Sequence, residues 1–266
     1  VFGAFRRKAR AAAPAEPATC VFILTYNRPL YLWACLDSLF RTTRHPAKFI
    51  LADNGSTDPL VRDVIRGFER RRMFHAVHLC EDNRTDRLKW MIEQHRHELG
   101  EFFGFVECDV IVKDSPEGWL APMLRILRAD PDLWMLGSLI DKRDFVDLAF
   151  ARSVDPSLSR EQVDFLIKAH SPERQAVDTS HRLIEPHNPP MRLLLLRTKV
   201  LEKVVIRSDF EIYEQIKSLG YKAKITTGVV HRHLSLLNFF DYPGYDAAER
   251  NEWVERLRRN DEPTRL

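Results

Sequence analysis

The residues of this chain best suited to chemistry are acidic and polar side chains that follow apolar runs at fixed spacing. Glu107 and Asp109 flank Cys108 just after the apolar run 102–106. In an extended segment, side chains two apart point to the same side, so both carboxylates face one space. Such a pair suits a divalent cation, and a cation held there neutralises phosphate oxygens. Two other polar clusters also follow apolar runs: Thr25-Tyr26-Asn27-Arg28-Pro29 and Asp53-Asn54-Gly55-Ser56-Thr57-Asp58. The ten glycines include no GxG pair and no GxxxxGK[ST], which argues against a dinucleotide cradle or an ATP-type phosphate loop.

The elements that must position these clusters alternate between strand-length apolar runs and segments of helical period. Strands are predicted at 21–25, 48–52, 76–80 and 102–107. Between them lie helices opened by Pro29, by Asp58 as N-cap with Pro59 as first residue, and across 85–99. A helix over 116–129, a strand over 133–140, a strand over 191–200, a helix over 210–219 ending at Gly220 and a strand over 222–226 complete the pattern. Alternation of this kind gives an α/β fold, a mostly parallel twisted sheet with helices on both faces. Ligands of such sheets bind in the crevice beyond the carboxyl ends of the strands, where all three clusters fall.

Size and composition agree with one large domain. The chain has 266 residues, 44% hydrophobic and 30% charged, with a formal net charge of +3. Neither a disordered chain nor a strong global pull toward nucleic acid fits these values. Apolar stretches are too short to span a bilayer. The cysteines Cys20, Cys35, Cys80 and Cys108 have neither zinc-pair nor disulfide-scaffold spacing, which points to a reducing compartment. Residues 1–18 read as a linker or arm, 19–240 as the domain, divided near residue 112, and 241–266 as a helical tail.

The segment CVFILTYNRPLYLWACLDSL, followed by KFILADNGSTD, resembles the opening of family 2 glycosyltransferases of the GT-A fold, and ECD sits where that family has its DxD-type motif. The resemblance runs from about Cys20 to His233. It implies an open, Rossmann-like sheet that binds a nucleotide-diphosphate sugar with Mn2+ or Mg2+. By the same resemblance Thr25, Tyr26 and Asn27, with Arg28 and Asn54 beside them, belong to the nucleotide loop. Asp53 accepts a hydrogen bond from the base, and an aromatic ring with a carboxylate at the base edge suits uridine. Asp109 matches the metal-binding aspartate, and Glu107 stands where the family usually has Asp, with its contact open between ribose and metal through water.

Further down the chain, Ser208-Asp209-Phe210-Glu211 is similar to the family's ED motif, with Ser208 a departure, and the resemblance makes Asp209 the general base. His231-Arg232-His233 lies where such enzymes supply a histidine to the metal. Both histidines share a side of an extended segment, and His231 is placed first. Arg84, Arg87 and Arg232 are candidates for balancing phosphate charge. His95-Arg96-His97 reads as a solvated helix face, and Trp119 as either an acceptor contact or core.

The expectation is an inverting, metal-dependent transferase moving a sugar to a hydroxyl acceptor, with a saccharide, lipid-linked saccharide or protein as the acceptor class. Surface polysaccharide or glycoconjugate synthesis is the setting the resemblance implies. A retaining GT-A transferase and a catalytically inactive nucleotide-sugar module stay open as alternatives. No nucleic-acid partner and no transmembrane segment are expected; the location is cytoplasmic, with peripheral contact at the inner membrane face allowed.

Overall fold

The computed structural model describes residues 16–141, 182–186, 192–207 and 209–234, and at Asp209 the backbone alone. The sequence also predicts a helix over 160–169 and a stiff turn at Asn188-Pro189-Pro190; these, with Ser208 and the C-terminal tail, lie outside the described residues.

Strand β1 (Thr19–Thr25) leads into α1 (Pro29–Thr42), β2 (Ala47–Asp53), α2 (Pro59–Arg70), β3 (Phe74–Leu79), α3 (Arg87–Gln94) and β4 (Phe102–Glu107). These are the elements expected from the periodicity, with boundaries moved by a residue or two. The helix expected over 85–99 is shorter, because a separate 3-10 turn, Arg96–Glu98, follows it. Asp58 caps α2 as expected, its Oδ1 accepting from the Leu60 N–H at 2.9 Å, with Pro59 in the first turn.

Beyond β4 come β5 (Val110–Val112), α4 (Leu120–Ala129), β6 (Leu133–Ile140), β7 (Leu183–Ile184), β8 (Leu193–Arg197), α5 (Asp209–Ser218) and β9 (Lys222–His233). Among the described residues the strands form a nine-stranded sheet in the order β3-β2-β1-β4-β8-β6-β9-β5, with β7 paired to β9. Strands β3, β2, β1 and β4 run parallel, whereas β8 runs antiparallel to both β4 and β6.

Strand alternation divides the core into two layers. Val21 and Ile23 of β1 face the side covered by α1, α2 and α4, while Cys20 and Phe22 face the side covered by α3 and α5. The order 3-2-1-4 reverses direction between β1 and β4, so helices leave toward opposite faces there and open a crevice beyond the carboxyl ends of those two strands. Leu24 pairs with Glu107 in the register, which puts the Thr25-Tyr26-Asn27 turn beside Glu107-Cys108-Asp109. Gly220 (φ +81°) ends α5 and turns the chain back into β9. The start of α5 at Asp209 therefore lies toward the same end of the sheet as the histidines of β9.

Candidate active site

Three elements converge on the crevice. Asp109 follows β4 in a tight turn into β5, and β5 pairs antiparallel with β9 so that Val110 faces His233 and Val112 faces His231. The Leu234 N–H donates to the Asp109 carbonyl at 2.8 Å, closing this ladder at its open end. The backbone thus holds His233 against Asp109, with His233 Nε2 3.3 Å from Asp109 Oδ2. One ligand atom from each of Glu107, Asp109 and His233 lies within 4.8 Å of the others. A carboxylate pair plus an imidazole is a donor set suited to Mn2+ or Mg2+. Asp109 is 4% exposed, and its Oδ1 has no hydrogen-bond partner among the described residues. A buried acceptor left in that state is costly unless a ligand takes it up, so the residues fit a cation.

Charge is balanced locally. Burial on its own would raise the Asp109 carboxyl. The His233 ring beside it, through charge and hydrogen bond, and the Arg28 and Arg192 guanidiniums outweigh that effect and hold the carboxyl well below the usual carboxylate range. Arg28 Nη1 lies 3.4 Å from Asp109 Oδ2, and Arg192 Nη1 lies 2.7 Å from Glu107 Oε2. Arg192 is a residue the sequence reading missed; it carries no motif, and only the β4–β8 pairing brings it to Glu107.

His231, placed first on sequence grounds, occupies a different position from the Glu107, Asp109 and His233 group. It is 1% exposed, and its Nδ1 meets Ser138 Oγ at 2.7 Å, while that hydroxyl also reaches the Leu193 carbonyl at 3.2 Å. Burial, with the nearby charges of His233 and Arg192, pushes its pKa down to about 3, so the ring is neutral. The physical reason is register: positions two apart on β9 share a side but lie almost 7 Å apart along the strand.

The nucleotide-side candidates form a braced rim. Thr25 and Asp53 are each 1% exposed, and Tyr26 is half-buried at the end of β1. Asp53 Oδ1 accepts from the Ser56 N–H at 3.1 Å and from the Ser56 hydroxyl. Asn27 adopts φ +44°, and its Oδ1 accepts from the N–H groups of Thr57 (2.8 Å) and Asp58 (3.0 Å). Asn54 works inside the protein: its Nδ2 donates to Asn83 Oδ1 at 2.6 Å and to the Arg84 carbonyl at 2.9 Å. Its Oδ1 accepts from the Arg84 N–H at 3.1 Å and from Arg87 Nε at 2.9 Å. Arg84 pairs with Asp86 at 2.7 Å, and Arg87 is buried, so both brace the 82–87 loop. Gly55 (φ +81°) lets that loop approach; a Cβ there would sit 2.6 Å from the Asp82 carbonyl carbon.

Away from the crevice, one open sequence reading is decided and one changes. Trp119 is core, 1% exposed, with its Nε1 donating to Thr43 Oγ1 at 2.8 Å. His95 is buried and not on a solvated face: its Nδ1 meets Glu98 Oε1 at 2.8 Å and its Nε2 meets His78 Nε2 at 2.8 Å. Asp209 opens α5, as its place in the sequence pattern requires.

The glycosyl transferase family 2 sequence profile matches residues 20–153, which include β1 through β6 and both crevice carboxylates. The chain belongs to this family. By sequence, no curated protein matches it. In fold, the family 2 chain is similar to the mannosyltransferase PcManGT from Pyrobaculum calidifontis, solved with GDP-Man and Mn2+. The TM-score is 0.56 at 20% identity, covering 90% of this chain and 62% of that one. It is also similar to GalNAc-T7, solved with UDP, GalNAc and Mn2+, with TM-score 0.56 at 13% identity and coverage of 83% and 44%. A third likeness is to TarS of S. aureus, TM-score 0.51 at 14% identity, covering 93% of this chain and 44% of TarS. The chain thus spans less than two thirds of the length of these structures. They establish the GT-A type of fold and leave substrate to the chemistry of the crevice.

Proposed function

We propose that this chain is a metal-dependent glycosyltransferase that moves a sugar from a nucleotide-diphosphate donor to a hydroxyl acceptor with inversion at the anomeric carbon. The observation that carries the reading is the convergence of Glu107, Asp109 and His233 at the sheet's switch point in a family 2 chain. Asp109 and His233 would hold Mn2+ or Mg2+, with Glu107 close enough to act through water or on the ribose. When bound, such a cation stabilises the negative charge that grows on the departing diphosphate.

The chain's own residues divide the remaining work. Tyr26 stacks on the base, Asp53 accepts from its edge through the oxygen not taken by Ser56, and Asn27 holds the 56–58 turn in place beneath it. Arg28 and Arg192 supply guanidinium donors to phosphate oxygens. Asp209 takes the acceptor hydroxyl proton as that oxygen attacks the anomeric carbon; the bond from that carbon to the diphosphate oxygen breaks, and the nucleoside diphosphate leaves with the electron pair. UDP is the favoured nucleotide on the Tyr26–Asp53 chemistry, and GDP belongs in the test because the two structural relatives named with nucleotides carry one of each.

A saccharide, lipid-linked saccharide or protein hydroxyl is the acceptor class, and a cytoplasmic location is part of the proposal. Among the described residues no helix is long and apolar enough to cross a membrane. The test is release of the nucleotide leaving group with Mn2+ across a panel of donors, a nucleoside diphosphate from UDP-, GDP- and dTDP-sugars and CMP from CMP-sugars. Turnover confined to one nucleotide and lost on chelation supports the reading, and anomeric analysis of the product should show inversion. Nucleotide binding without turnover on any donor and acceptor tried would favour an inactive binding module.

A further inference from the structure

Each carboxylate at the crevice has a guanidinium against it. Arg28 stands 3.4 Å from Asp109, and Arg192 stands 2.7 Å from Glu107. Two carboxylates and two guanidiniums sum to zero charge before His233 is counted. The arginines are tethered at the backbone. The Glu107 N–H donates to the Arg192 carbonyl at 2.9 Å, and the Leu32 N–H donates to the Arg28 carbonyl at 2.9 Å. Their side chains stay 27% and 31% exposed, so an incoming ligand can reach both.

A lone divalent cation approaching Asp109 would meet these positive groups at short range in a partly buried setting, where like-charge repulsion is weakly screened. A diphosphate reverses the balance. Its oxygens are better partners for planar guanidinium forks than a single carboxylate contact at 3.4 Å, so the arginines can transfer their hydrogen bonds to it and uncover the carboxylates.

We propose that Arg28 and Arg192 act as charge placeholders on Asp109 and Glu107, so that a divalent cation binds tightly only together with a nucleoside diphosphate. The inference rests on the reading of this crevice as a metal and nucleotide site, and it assigns the two arginines a positioning role toward both ligands. It also accounts for Arg192, which no sequence motif marks.

The experiment is a titration of Mn2+ followed by electron paramagnetic resonance of the free ion, with protein alone and with UDP, GDP, CDP or dTDP. For the wild-type chain, Mn2+ affinity should rise about tenfold or more when the correct nucleotide is added. Arg192→Gln and Arg28→Gln should bind Mn2+ alone roughly threefold to tenfold more tightly than wild type and lose most of the nucleotide effect. Arg192→Lys, which keeps the charge, should stay close to wild type in lone-metal affinity. The wild-type comparison needs no variant to fold. Equal Mn2+ affinity with and without nucleotide, or glutamine variants with unchanged lone-metal affinity, overturns the coupling and leaves the transferase reading standing. No Mn2+ bound with any of the four nucleotides overturns both.

Discussion

His233 Nε2 lies 3.3 Å from Asp109 Oδ2 because the backbone pairing of β5 with β9 sets Val110 opposite His233. The contact is a property of register, and a shift of two positions would present His231 in its place. His231 is occupied elsewhere, on Ser138. With nucleotide present, His233→Ala should weaken Mn2+ affinity by about tenfold to a hundredfold, the range typical of losing a group that holds or orients a metal. His231→Gln should leave that affinity within about twofold while lowering stability by about 1–3 kcal/mol, the cost of disturbing a buried hydrogen-bonded group. Calorimetric binding and thermal unfolding of the two variants check the pair of outcomes.

Asp209 is placed at the start of a helix, where a carboxylate can cap or can accept a proton. Asp209→Asn keeps the capping ability and removes the basicity. The variant should retain nucleotide affinity with Mn2+ and lose transfer by about a hundredfold to ten-thousandfold. Steady-state transfer alongside nucleotide binding checks this, and wild-type transfer rates would remove Asp209 from the mechanism.

Asn27 holds positive φ and ties the turn after β2 to the turn after β1 through Thr57 and Asp58. Asn27→Ala leaves two backbone N–H groups seeking partners and a left-handed residue without its supporting side chain. Stability should fall by about 1–3 kcal/mol. Nucleotide affinity should fall with it, because the Ser56–Asp53 contact belongs to the same turn. Thermal melts and nucleotide titration of Asn27→Ala test both effects, with Asn27→Asp as a variant that keeps the acceptor oxygen.

Far from the crevice, Glu98 gathers Lys48 at 2.7 Å, His75 at 2.6 Å and His95 at 2.8 Å. Hydrogen bonds from Lys48 and His95 outweigh the opposing effect of burial and, with His75, lower its pKa to about 2. A carboxylate with a depressed folded pKa contributes stability that is fully present above its unfolded value, about 4.3. That stability is lost as pH falls from there through about 2. Glu98→Gln should therefore flatten the decline in melting temperature between those limits and cost about 1 kcal/mol at neutral pH after solvent screening. Melting curves of wild type and variant across that range check the sign.

Much of this architecture was legible in the chain itself. The mostly apolar run 21–25 marked β1 as a strand buried on both faces, and Asp58-Pro59 marked the start of α2. The spacing of Glu107 and Asp109 told of one shared space. What stayed hidden depends on long-range pairing. Strand β5 has three residues, too few for a period, and β9 runs on through Thr226, Thr227 and Gly228, where the sequence suggests an end. Without that pair of strands the choice between His231 and His233 has no basis. Arg192 was missed for the same reason, its partner lying 85 residues away. His95 was misread because α3 ends at Gln94, and the ring at its end turns onto His78 of β3 and Glu98 of the following turn.

The central claim is that Asp109 and His233 share a divalent cation with a nucleoside diphosphate. Electron spin-echo envelope modulation of Mn2+ bound to the protein with UDP or GDP tests it most directly. The account predicts phosphorus coupling from the diphosphate together with one imidazole nitrogen coupling that disappears in His233→Ala and persists in His231→Gln. A spectrum with water protons alone, or a nitrogen signal that survives the loss of His233, would contradict it.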